Sequence, residues 1–145
     1  MQRLLLILLV GAAVLYTAIE RLQPQRPSVA SGAAVDSDEL QRAFADHSSN
    51  VQVRATGTVE RILPDDEHGS RHQRFIVRLA SGHTVLIAHN IDLAPRVTPL
   101  REGDQIEFRG EYEWNEQGGV VHWTHGDPAG RRLGGWLEHR GRRYQ

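Results

Sequence analysis

From Val51 to Val59 every second residue is small or apolar (Val51, Val53, Ala55, Gly57, Val59), and the residues between are Gln52, Arg54, Thr56 and Thr58. Side chains alternate between the two faces of a strand, so this pattern demands a long strand with one face in a core and the other toward solvent. The alternation returns further along. Gln73, Phe75, Val77 and Leu79 predict a second strand, with His72, Arg74 and Arg78 mostly on its other face, and Ser81-Gly82 predicts a two-residue hairpin into a third strand, His83–His89. Ile106, Phe108, Gly110, Tyr112 and Trp114 predict a fourth, entered through Gly103-Asp104, and Asn115 to Gly119 turn it into a fifth, Val120–His125. Pro64 to Ser70 read as a polar loop. Asn90 to Leu100, with Pro95 and Pro99, read as a connector with room for one helical turn, and the last twenty residues show little periodicity.

Five strands, a long first one and a connector between the third and fourth predict a mainly β fold, a small five-stranded OB-like Greek-key barrel. An SH3-like barrel is the nearest alternative. Closing so small a sheet needs a sharp bend in the first strand, for which Gly57 is suited. The segment 100–110, Leu-Arg-Glu-Gly-Asp-Gln-Ile-Glu-Phe-Arg-Gly, reads like the fourth-strand entry of such barrels. A short helix should precede them, opened by Asp36-Ser37-Asp38-Glu39 with Ser37 as its cap, striped by Leu40, Ala43 and Phe44, and ended near Ser48-Ser49-Asn50. The chain of 145 residues has room for one such domain, 36–145. With no cysteine, disulfides, thiolate metal sites and a lipid-modified N-terminal cysteine are excluded.

The N-terminus reads as an address. Met1-Gln2-Arg3 precedes an apolar run, Leu4–Ile19, that Glu20-Arg21 ends. Sixteen helical residues span about 24 Å, a little short of a bilayer's hydrocarbon core yet long for a signal-peptide core. Neither small-residue site, Gly11-Ala12-Ala13 or Ser31-Gly32-Ala33, is well placed for cleavage. Residues 1–21 are therefore expected to anchor the chain in a bacterial inner membrane as a single span contacting lipid through 4–19, with a cleaved signal and a secreted periplasmic domain as the alternative. The charges at Met1 and Arg3 keep that end in the cytoplasm and export the rest. Residues 22–35, with Pro24, Pro27, Ser28, Ser31 and Gly32, read as a flexible tether.

The net charge of −1 hides a segregation. Glu102 to Glu116 hold six acids against Arg109, a local −5, and Arg131 to Gln145 hold five arginines against Glu138, a local +4. Such a basic tail can meet phosphate or an anionic membrane, or lie against the protein's own acidic strand.

Polar groups concentrate in Arg71-His72-Gln73-Arg74, His89-Asn90-Ile91-Asp92, Glu111-Tyr112-Glu113-Trp114-Asn115 and His122-Trp123-Thr124-His125-Gly126-Asp127. A hairpin about Glu116-Gln117 would set Glu111 opposite His122, about 5 Å away, and Gly110 opposite Trp123. His122 and His125 point to opposite sides of a strand and could share an ion only if the strand breaks near Thr124. His89, Asp92 and Asp127 could then help to complete a nitrogen and carboxylate site for zinc or another divalent metal. The metal set so expected is His89, His122, His125 and Asp127. Acid–base work would fall to Glu111 with His122, or to Asp92 with His89. No nucleophile elbow, two-histidine helix motif or phosphate loop is present. Stacking over a basic surface is the third option, with Arg54, Arg74, Arg78 and Arg109 outward and Trp114, Trp123, Trp136 and Tyr144 supplying rings. Against it, Tyr112 and Trp114 share the core register of Phe108, and the acidic fourth strand repels phosphate. Nucleic acid is thus disfavoured as a partner.

From Gln41 to Gln145 the chain resembles a bacterial family known only as a domain of unknown function (domain of unknown function 3465). The resemblance is carried by His72-Gln73-Arg74-Phe75, Ala88-His89-Asn90-Ile91-Asp92-Leu93-Ala94, Gly110 to Asn115, Gly118 to His125 and Gly135-Trp136. It implies a shared fold and no established activity. Where the family often has further histidines, this chain has Gly126 and Arg132.

These observations lead to a membrane-tethered periplasmic binding or interaction module for an unknown envelope ligand or protein. Its candidate surface is His72, His89, Asn90, Asp92, Glu111, His122, Thr124, His125 and Asp127. The alternatives are a metal-dependent hydrolase using the same cluster and a structural envelope protein.

Overall fold

The computed structural model describes residues 30–145. The apolar run Leu4–Ile19 and the first part of the tether lie outside the described residues. Among the described residues no helix is long and apolar enough to cross a membrane.

The chain is mainly β: a helix α1 (Ala30–Ala45) precedes β1 (Val51–Asp66), β2 (His72–Leu79), β3 (Thr84–Asn90), β4 (Gln105–Glu113), β5 (Val120–His122), β6 (Trp136–His139) and β7 (Arg142–Tyr144). The helix starts upstream of the expected cap, so Ser37 lies inside it and residues 30–35 are helical rather than tether. Alanine has the highest helix propensity, and Ala30, Ala33 and Ala34 extend the helix through Gly32. Leu40 and Ala43 are its buried stripe, with Phe44 packed at the margin. The helix ends as a Schellman turn: Ser48 N–H donates to Ala43 O at 2.8 Å, and His47 takes the left-handed conformation (φ 53°).

All seven strands form one sheet. The first half of β1 pairs antiparallel with β4 (Val51↔Tyr112 to Thr58↔Gln105), and from Gly57 onward β1 pairs with β2 (Gly57↔Leu79 to Asp66↔His72). β2 pairs with β3, β3 runs parallel to β5, and β5 returns antiparallel to β4. The pairings thus lead from β1 round to β1 again. Gly57 is where β1 passes from one partner to the other. A Cβ there would stand 2.5 Å from Val77 Cγ1 and 2.6 Å from Arg78 O, so the close approach requires glycine.

The inward positions supply the core: Val53, Ala55 and Val59 meet Phe75, Val77, Val85, Ile87, Ile106, Phe108, Tyr112 and Val121. Gln73 shares that inward register and is buried. Its amide donates to Val97 O (3.1 Å) and accepts from Val97 N–H (2.9 Å), which seals the connector onto β2 as a backbone ladder would. The connector does hold one turn, with Ala94 N–H donating to Asn90 O at 3.1 Å.

Local expectations need correction in several places. Pro64 lies within β1, not in a loop, beside an irregularity between Leu63 and Asp66 where the ladder needs no donor from it. The β2–β3 turn has Ala80, Ser81 and Gly82 between Leu79 and His83, with Gly82 at φ 88° taking the left-handed position of the longer hairpin. β5 stops at His122 because Trp123 adopts φ 54°. The arginine-rich end contains the hairpin β6–β7. Trp136, Leu137 and Glu138 pair with Arg109, Phe108 and Glu107 of β4, and Leu137 and Tyr144 complete the core. That hairpin lies on the acidic strand. Arg140 reaches Asp104 at 3.0 Å and Arg132 reaches Glu111 at 3.5 Å.

Candidate functional site

The polar residues singled out in the sequence separate into those with partners inside the fold and those without. His89, at the end of β3, is fully buried. Its Nε2 lies 3.1 Å from Pro95 O, which can only accept, so Nε2 carries the proton and Nδ1 accepts from the Thr124 hydroxyl at 2.8 Å. Burial pushes this imidazole below its ordinary range; the charge of nearby His125 adds to that, and the bond to Pro95 opposes it. Both nitrogens are used in this neutral tautomer. Thr124 is equally buried.

Asp92 does not serve His89. Its carboxylate accepts from Arg71 N–H (2.8 Å), Nε (2.8 Å) and a terminal guanidinium nitrogen (2.7 Å), contacts that hold its pKa below the usual carboxylate value. Asn90 Oδ1 accepts from Asp92 N–H at 2.9 Å and folds the β3 exit. His72, half-buried, opens β2 opposite Asn90. Asp127 accepts from the backbone N–H groups of Ala129 (3.0 Å), Arg132 (2.7 Å) and Arg131 (2.6 Å), which lower its pKa and shape the loop before β6. His125 is buried, with Nδ1 2.7 Å from Gly126 O and its ring 4.7 Å from that of Trp123.

The metal set His89, His122, His125 and Asp127 therefore does not converge. The strand does break, at Trp123, and His125 lies in the loop beyond the break, in no group of three potential ligands among the described residues. Among the described residues one group of three potential ligands comes together: Glu111, Glu113 and His122, whose ligand atoms all lie within 4.8 Å of one another. The register explains it. Glu111 pairs with His122 across β4–β5 and with Gln52 across β4–β1, so Gln52, Glu111 and His122 form one row on the outer face, with Glu113 two residues along. His122 Nε2 is 3.7 Å from Glu113 Oε1, beyond hydrogen-bonding distance. His122 Nε2 and Gln52 Oε1 are both buried with no hydrogen-bonding partner on the protein.

Beside this row a cleft of about 410 Å3 is lined by Trp123, Asp127, Arg131 and Arg132. Arg132 lies 5.1 Å over the Trp123 ring and carries the contact to Glu111, while the indole Nε1 is buried without a partner. Trp136 and Tyr144 are not free stacking platforms. Both are buried, and Trp136 is covered by Arg54 at 5.4 Å and Arg143 at 4.1 Å. Gly110 is required by its neighbours on β5 and the residues after it: a Cβ there would meet His122 O at 2.4 Å and Val121 Cγ1 at 2.8 Å.

Sequence reasoning paired Glu111 with His122 but missed Glu113 and Gln52. Period two puts Glu113 on the face of Glu111, so the trio was readable once the hairpin register was set. It also missed His139, buried in β6 with Nε2 3.0 Å from Asp104 Oδ2. Burial of Asp104 would raise its pKa, but the Arg101 N–H, Arg140 and His139 more than offset that and lower it. No curated protein matches the chain. The model of one family, described as Protein of unknown function (DUF3465), matches residues 26–145, and the chain belongs to that family.

Proposed function

We propose that the chain is a binding module tethered to a bacterial inner membrane through Leu4–Ile19, with its folded part in the periplasm. The circuit of pairings β1–β2–β3–β5–β4–β1, with β3 and β5 parallel, supports reading that part as an OB-like barrel. Its binding surface is the outer face of β4–β5 with the adjoining cleft at Trp123. One observation carries this assignment. His89, Asp92, Thr124 and Asp127, and the side-chain oxygen of Asn90, bond within the fold, whereas the row of Gln52, Glu111 and His122 leaves two buried atoms without protein partners. A fold tolerates such atoms poorly unless something else satisfies them.

Two measurements test the proposal. A reporter fused after Gln145 that is active only outside the cytoplasm should be active and sediment with membranes; a reporter active only inside the cytoplasm contradicts the placement. Titrating the isotope-labelled full chain in micelles with the small-molecule fraction of the periplasm should shift amide signals at 111–113 and 120–126. Shifts confined to the β2–β3 face contradict the assigned surface.

A further inference from the structure

We propose that Glu111, Glu113 and His122, with Gln52 beside them, bind one divalent first-row transition ion. The inference rests on the reading of the β4–β5 face as the binding surface and names its ligand.

The atoms are those a cation would need. Two carboxylates and an imidazole nitrogen gather on half-buried side chains, with exposures of 15% for Glu111, 35% for Glu113 and 36% for His122. Ligands bound at about 2.1 Å in a tetrahedron stand roughly 3.4 Å apart. The His122–Glu113 contact at 3.7 Å is nearly there, and a group within 4.8 Å has about 1.4 Å at most to close. The two atoms without protein partners, His122 Nε2 and Gln52 Oε1, belong to the residues that flank Glu111 in register, and each offers a lone pair of the kind a cation accepts.

The donor set also selects the ion. An imidazole favours zinc and its neighbours over magnesium or calcium, which prefer all-oxygen shells. A simple ion pair fits the geometry less well: His122 and Arg132 stop at 3.7 and 3.5 Å from their carboxylates, and Arg132 is 60% exposed, resting on Trp123. Arg132 is instead a competing cation that an incoming ion displaces from Glu111.

The test uses the full chain in micelles, stripped with a chelator and titrated calorimetrically with Zn2+ and Mg2+. One Zn2+ per chain should bind, on the order of 100-fold more tightly than Mg2+. Glu113→Gln and His122→Gln should each weaken Zn2+ binding roughly 100-fold. Arg132→Gln should tighten it a few-fold by removing a neighbouring positive charge. His68→Gln, at the exposed His68–Asp66 pair, should change nothing. Glu113→Gln is half-exposed and should fold like the parent, so it carries the test should His122→Gln fold poorly. Absence of Zn2+ binding, or stoichiometric binding that survives Glu113→Gln, overturns the assignment. If Zn2+ fails while periplasmic small molecules still shift the 111–113 and 120–126 signals, the metal falls and the binding face stands. If Zn2+ binds and the topology reporter reads cytoplasmic, the tether reading falls instead.

Discussion

The end of β3 and the outer face of β4–β5 use similar side chains to opposite ends. Around His89, an imidazole, a threonine hydroxyl, a carboxylate and a carboxamide each find a protein partner: Thr124 and Pro95 for His89, Arg71 for Asp92, Val97 for Gln73. On the β4–β5 face, an imidazole, two carboxylates and a carboxamide stand together, and the imidazole Nε2 and carboxamide oxygen have none. Residue type does not separate a structural histidine from an available one. What separates them is whether the chain supplies a second group at the right distance. Removing a satisfied buried group strands its partner, whereas removing an unsatisfied one strands nothing.

The contrast can be broken by substitution. Gln73→Leu should be the most damaging, because it strands both Val97 N–H and Val97 O beneath the connector. The expected cost is about 2–4 kcal/mol in denaturant unfolding, and a loss under about 0.5 kcal/mol would mean the amide pair is incidental. Thr124→Val keeps the shape and removes only the hydroxyl that serves His89, and should cost about 1–3 kcal/mol. On the other face, Glu113→Gln without metal should change stability by no more than about 0.5 kcal/mol.

The same contrast has a pH signature. His89 is held below its ordinary value of 6.5, so the unfolded chain binds its proton more readily than the folded one. The stability tied to this neutral imidazole is complete above about pH 6.5 and falls as the pH drops below it. His89→Gln should lower stability at pH 8 and also flatten the decline just below pH 6.5. An unchanged slope there would show that His89 is not the group responsible. Asp92, Asp104 and Asp127 are lowered too, so what they contribute is present above their ordinary value of 3.8 and lost only as the pH falls further below it.

Much of the β4–β5 face was legible in the sequence. Alternation identified β1 to β4, and the turn at Asn115 to Gly119 set the register in which Glu111 meets His122. The rest failed for physical reasons that can be named. β6 and β7 are too short, at four and three residues, to show a period, and β6, on which β7 folds back, pairs with β4, far away in sequence. The fates of His89, Asp92 and Asp127 were not readable, because their partners are a proline carbonyl, an arginine before β2 and loop N–H groups that only the folded backbone brings near. Trp123 appeared to continue β5. Its left-handed conformation is set by the loop it enters, where Gly135 comes so close that a Cβ would collide with Trp123 O and Arg109 O.

The most direct test of the distinction between the two regions compares His89→Gln with His122→Gln, unfolded by denaturant side by side in chelator at pH 8. The account predicts that His89→Gln loses about 2 kcal/mol or more, since Pro95 O and the Thr124 hydroxyl lose the geometry they bond to, while His122→Gln stays within about 0.5 kcal/mol of the parent. If His122→Gln proves as costly as His89→Gln, its imidazole belongs to the fold and is not kept for a ligand.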